Sequence, residues 1–206
     1  MGIWQVSRAN EKKALLKAYA QRTKLIPMKA TAILQPGDWR FYRAELTGIF
    51  DNAHTLLLDN KTHEGKIGYE VYTPFISTHL STPILVDRGF IPMGNTRKVL
   101  PVIPAIKGTL TLTGMLNAPP AYVSLGTLTD TPANTWPMRI EYVNLKELSS
   151  LFKQALFPYV LHITPTDPVL MKPEKHMGYA VQWFAFALTL LILFVALNRP
   201  KKKSGQ

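Results

Sequence analysis

The chain has 206 residues, no cysteine and a formal net charge of +11. The missing thiols exclude disulfides, cysteine-ligated zinc or copper, and thiol redox chemistry, a paired-cysteine copper chaperone included. The charge does not describe a nucleic-acid face, on which cations and aromatics share one module. Residues 1–29 carry seven Lys/Arg against Glu11 alone, Arg199, Lys201, Lys202 and Lys203 supply four more, and the stretch between nets only +1.

From the N-terminus, residues 3–22 contain neither Gly nor Pro. Ile3, Val6, Leu15, Leu16 and Tyr19 recur at helical spacing with Arg8, Lys12, Lys13 and Lys17 on other faces, which predicts a basic amphipathic helix in a juxtamembrane segment, residues 1–24. Its cations suit anionic headgroups, at about 1 kcal/mol per basic residue near the surface. Met1-Gly2 is not an N-myristoylation start, because Val6 stands where Ser or Thr is required.

Residues 42–50, 54–60, 68–78, 83–92 and 108–116 are short, rich in β-branched and aromatic side chains, and separated by turn residues. Several alternate apolar and polar at period two, as in Leu110-Thr111-Leu112-Thr113. The pattern predicts antiparallel strands in a barrel or sandwich, with Gly48, Gly68, Gly89 and Gly114 at bends and bulges. A Pro-rich loop follows, then a strand at 139–143 and a helix from the cap Asn144 through Gln154 with Glu147 as capping-box partner. A last strand is expected at 158–164. The class is α+β, an antiparallel β-barrel or sandwich-like extramembrane domain over residues 25–175, about 150 residues and large enough for its own core.

Met177 to Leu197 runs 21 positions without a charge. A bilayer needs about 20 apolar residues in a helix, so residues 176–198 read as a transmembrane helix. The basic tail, 199–206, fixes the direction: cations flanking a span stay in the cytoplasm, which puts the β-rich domain on the far side. An exported domain of that size requires a hydrophobic segment upstream. The expectation is therefore a further span preceding Met1 in the native protein.

Three patterns together resemble one family. Gly2-Ile3-Trp4-Gln5-Val6-Ser7-Arg8 precedes Leu15-Leu16; Tyr42-Arg43, Gly48-Ile49-Phe50 and Gly68-Tyr69-Glu70-Val71-Tyr72-Thr73-Pro74 lead to Leu85-Val86-Asp87-Arg88-Gly89-Phe90-Ile91-Pro92; and His176-Met177-Gly178-Tyr179-Ala180-Val181-Gln182-Trp183 opens the apolar run. In order and spacing they are similar to the surfeit locus protein 1 family, membrane proteins of cytochrome c oxidase biogenesis. Two departures stand out: Phe90 occupies a position where the family commonly has Trp, and the chain has one of the family's usual two spans.

The resemblance implies an assembly factor in a bacterial inner membrane, with its main domain periplasmic and its C-terminus cytoplasmic. It implies binding of haem a and delivery toward the haem-bearing oxidase subunit, with that subunit, other assembly factors and the lipid bilayer as partners. His176 sits at the edge of the apolar run, with Tyr179 and Trp183 at i+3 and i+7 on one helical face. An imidazole there is the candidate haem-iron ligand and the two aromatics candidate packing surfaces for the macrocycle. The plainer reading of the same spacing is an interfacial histidine beside an aromatic belt. His54, His63, His79 and His162 show no metal spacing and read as surface histidines. Asp87-Arg88-Gly89 reads as an Arg near a bulge paired with a local acid rather than a binding loop. No hydrolase, metalloprotease, P-loop or dinucleotide fingerprint occurs, so the expectation is no enzyme. A membrane-tethered envelope enzyme and a ligand-free interaction module are the readings from other classes.

Overall fold

The computed structural model describes residues 1–94, 96–120, 122, 126–132, 135–163 and 171–198. They form two compact units, residues 21–166 and residues 1–20 with 167–206.

The larger unit is built on one eight-stranded sheet. Its strands are β1 (Met28–Lys29), β2 (Arg43–Phe50), β3 (Leu56–His63), β4 (Lys66–Ser77), β5 (Ile84–Pro92), β6 (Leu110–Asn117), β7 (Met138–Ile140) and β8 (Val160–His162), with a helix α2 (Leu145–Phe152) before β8. The spatial order is β1-β2-β6-β8-β5-β4-β3-β7. The pairs β2–β6, β3–β4, β4–β5 and β6–β8 are antiparallel, whereas β5–β8 and β3–β7 are parallel. The sheet is thus mixed, and it is not a closed barrel. β1 and β7 remain free edges, although β2 also pairs with β4 over Gly48–Phe50 and curls the middle of the sheet back. That close approach needs a residue without a side chain, since a Cβ on Gly48 would lie 2.1 Å from the Ile76 carbonyl oxygen.

Local chemistry explains the turns. Glu64 and Gly65, both at positive φ (49° and 76°), join β3 to β4 in the two-residue turn whose twist matches paired strands. In β5, Arg88 and Gly89 stand opposite the single residue Val71, a bulge that Gly89 permits with φ 98°. Asn144 caps α2 by accepting from the Lys146 and Glu147 amides. Glu147 answers through the Asn144 side-chain amide at 2.8 Å rather than its backbone N–H, a variant of the expected box.

Alternation along the strands sorts the core into three clusters, a small one of Leu57, Tyr69 and Val71 and two larger ones. Leu46, Phe50, Phe75, Ile84, Val86, Leu116 and Leu161 form one, with Phe50 and Phe75 packed edge to face at 5.1 Å. Leu56, Tyr72, Leu85, Met138, Ile140 and Val160 form the other, covered by Val143 and by Leu148 of α2. Each large side chain so enclosed stabilises the fold by about 1.5–3 kcal/mol relative to exposure.

The smaller unit contains α1 (Gly2–Arg22, whose last turn belongs to the larger unit) and α3 (Pro173–Leu197). At 25 residues α3 is about 37 Å long, against a hydrocarbon core of about 30 Å. It is the one described helix long and apolar enough to cross a membrane, and Leu188 to Leu197 stand largely exposed along it. α1 is helical as expected, but its apolar positions do not make the buried stripe. Gly2 and Ala9 are buried while Ile3 is 79% exposed, so small size rather than hydrophobicity selects the packed positions. The tail that sets the predicted orientation lies outside the described residues.

Candidate functional site

The predicted triad lies on α3, but its members differ in environment. His176 is buried at 8% exposure, whereas Tyr179 and Trp183 are 44% and 45% exposed. The buried positions of α3 are Pro173, His176 and Ala180, a stripe at helical spacing with His176 on its margin toward Tyr179 and Trp183. Trp183 packs edge to face on Phe186 at 6.4 Å rather than on the histidine.

Across from this stripe lies α1. A Cβ on Gly2 would come within 2.8 Å of the Phe184 ring, so a larger residue there would displace that ring. Three residues later, Gln5 Oε1 meets His176 Nδ1 at 2.8 Å. An amide oxygen can only accept, so Nδ1 is the donor, the arrangement of the tautomer whose lone pair lies on Nε2. That tautomer, with exposed aromatic surface one turn away, fits an axial ligand for haem iron. No cluster of three or more His, Cys, Asp or Glu that could hold a metal ion occurs among the described residues.

A second histidine was misread by its sequence. His162 is buried, not a surface residue, and its Nδ1 lies 2.8 Å from Asp87 Oδ2. The two stand opposite each other in the parallel ladder of β5 and β8. One row crosses seven strands here: Met138, Leu56, Tyr72, Asp87, His162, Met115 and Arg43. Asp87 Oδ1 accepts from the Gly89 amide at 2.9 Å, so the bulge glycine completes the carboxylate's partners. His162 Nε2 is sealed from solvent and has no hydrogen-bond partner among the described residues. Nearby, burial first, then the charges of Asp87 and Glu70, push the Tyr72 hydroxyl well above its ordinary pKa.

Arg88 does not pair with its neighbouring acid. It donates to Thr73 Oγ1 at 3.4 Å and to the Pro104 carbonyl at 2.8 Å, and its guanidinium lies 5.4 Å over the Phe50 ring. The bulge was legible; the acid's true partner, 75 residues away, was not. A short-range signal existed: Asp87 and His162 each share a strand face with an apolar residue two positions back, Leu85 and Val160. His54 is bonded to Asp51 at 2.5 Å and packs edge to face on Trp136 at 4.8 Å.

A concavity of about 670 Å³ is an open groove lined by residues 33–40, Ala118 and 157–159. Its polar groups are occupied with each other. Tyr159 donates to the Gly37 carbonyl at 3.0 Å and accepts from the Trp39 amide at 3.3 Å. Asp38 bonds both Arg40 and Arg22, which hold its carboxyl far below the usual carboxylate range, Arg40 foremost.

A SURF1-like protein of Monosiga brevicollis is 22% identical over 97% of this chain and 82% of its own length. A SURF1-like protein of Rickettsia felis is 26% identical, covering 97% and 91%. The cytochrome oxidase assembly protein SHY1 of Saccharomyces cerevisiae matches at 29% over 44% of this chain, only 24% of its own length. The model of the SURF1 family matches residues 1–188, which takes in the β unit, the α1 segment and the first part of α3, and the chain belongs to that family.

Proposed function

We propose that this chain is a membrane-anchored assembly factor for cytochrome c oxidase, which holds haem a through His176 Nε2 and assists its insertion into the haem-bearing subunit. Family membership over residues 1–188 supports the assembly role, as does the yeast relative's designation as a cytochrome oxidase assembly protein. The observation that carries the haem assignment is the His176–Gln5 hydrogen bond, which leaves a lone pair at the edge of the apolar helix. Haem brings its own iron chemistry; the chain supplies one imidazole, the exposed rings of Tyr179 and Trp183, and a position at the membrane boundary. No catalytic step by the chain is needed, because the cofactor is handed over rather than transformed. The inner bacterial membrane is the proposed location, with residues 25–175 periplasmic and the lysine tail cytoplasmic.

Haem bound per protein tests the reading, measured by Soret absorption of the full chain purified in detergent. The expected result is a Soret band that His176→Ala removes, together with impaired oxidase maturation. A wild-type protein without a band after haem supply, or equal haem in both proteins, overturns the ligand role. Reporter fusions at Gln206 test the topology: activity of a periplasm-only reporter there would reverse the assignment.

A further inference from the structure

We infer that Gln5 is a positioning residue for the haem ligand: its side-chain carbonyl fixes the ring and tautomer of His176, so that Nε2 is presented as a pre-set axial donor. The inference rests on the haem reading above, and it assigns a role to a residue on a different helix.

Three observations carry it. The hydrogen bond is 2.8 Å long and joins residues 171 positions apart, so it reflects the packing of α1 on α3 and not local chain geometry. The packing itself is determined: Gly2 admits the Phe184 ring, and Ala9 and Ala180 are fully buried small residues on the two helices. Small residues are what bring helix axes close enough at a membrane boundary for side-chain hydrogen bonds between them. Finally, Gln5 is itself only part-exposed, which limits competition from water for the His176 Nδ1 proton. An unrestrained imidazole divides between two tautomers and many ring orientations. A fixed acceptor at Nδ1 removes that freedom before the metal arrives and raises the basicity of Nε2, the role outer-shell acceptors play at metal-bound histidines.

Two substitutions separate positioning from packing. Gln5→Leu keeps bulk and removes the acceptor; Gln5→Glu keeps an acceptor and gives it charge. The full chain in detergent is titrated with haem b, supplied as haemin, and with haem a. Dissociation constant, ferrous iron–histidine stretch in resonance Raman and midpoint potential are the readouts. We expect Gln5→Leu to weaken haem binding by about 10- to 100-fold, the usual effect of losing an outer-shell partner, and to lower the iron–histidine frequency. Gln5→Glu should restore affinity, raise that frequency above wild type and shift the potential downward, because a more basic imidazole favours ferric iron. Wild-type binding with an unchanged frequency and potential in both variants would overturn the role of Gln5 and leave His176 as ligand. No haem binding by wild type would instead overturn the underlying reading. Weakened affinity in both variants with unshifted frequency and potential would show Gln5 to be a packing residue only.

Discussion

Two histidines of similar burial, 5% for His162 and 8% for His176, sit in opposite chemical situations. His162 lies inside the sheet, held by a carboxylate, with its far nitrogen sealed among core side chains. His176 lies on a helix at the end of an apolar run, held by a neutral amide. A carboxyl partner within a core ties its histidine to the fold, because removing either member leaves the other buried without its hydrogen bond. A neutral acceptor leaves no charge behind and only sets which nitrogen stays available. Burial by itself therefore does not mark a functional histidine. The partner's charge and what surrounds the second nitrogen do.

The sharpest way to break this contrast is His162→Ala. It would take the His162 partner from the buried Asp87 Oδ2, and leaving a buried polar group without its hydrogen bond costs about 1–3 kcal/mol, to which the cavity adds. Urea denaturation of the β unit's signal should show that loss, and the double variant Asp87→Leu/His162→Leu should recover part of it. An unchanged midpoint in His162→Ala would place this pair among surface contacts. Next in size is Gly48→Val, which drives a side chain into the Ile76 carbonyl at the β2–β4 contact. Overpacking of this kind costs about 1–3 kcal/mol and should appear as a lower melting temperature with faster amide exchange at Ser77 and Thr78.

His176→Ala should be milder for the fold, at about 1 kcal/mol for one hydrogen bond, while removing haem retention altogether. The dissociation of stability from ligand binding is what distinguishes it from His162. The smallest effect is expected at Asp38, whose ion pairs are half-exposed and worth about 0.5 kcal/mol. Its carboxyl titrates lower folded than unfolded, so the stabilisation is present at neutral pH and fades as the pH falls below about 4. Thermal melts of Asp38→Asn and wild type should differ slightly at pH 7 and converge in acid. A constant difference would assign the effect to packing instead.

Local elements were legible in the sequence because their causes are local. The apolar helix through Met177, the Asn144 cap and the strands around Leu46, Tyr72, Val86 and Leu112 all follow from hydropathy, periodicity and turn chemistry. What escaped depends on partners distant in the chain. The parallel pairing of Leu85 with Val160 decides that Asp87 meets His162, and no periodicity within β5 or β8 reports which strand lies alongside. The barrel expectation failed for the same reason: alternation shows that strands exist but not whether the outer two join. The candidate ligand His176 was legible from its place before the apolar run, whereas the bond from Gln5 to it shows only with α1 and α3 together. The packed positions of α1, Gly2 and Ala9, are small ones, which a hydropathy pattern passes over.

The outermost strands carry a consequence of their own. β1 offers two residues and β7 three, each already engaged in parallel pairing on its inner side. An edge this short cannot template a neighbouring chain, which needs a longer row of unpaired amides. For a domain tethered by a helix, copies are confined to a plane and meet one another often. Truncated edges keep such crowding from zipping sheets into aggregates, and contacts between molecules then depend on side-chain chemistry rather than on backbone complementarity.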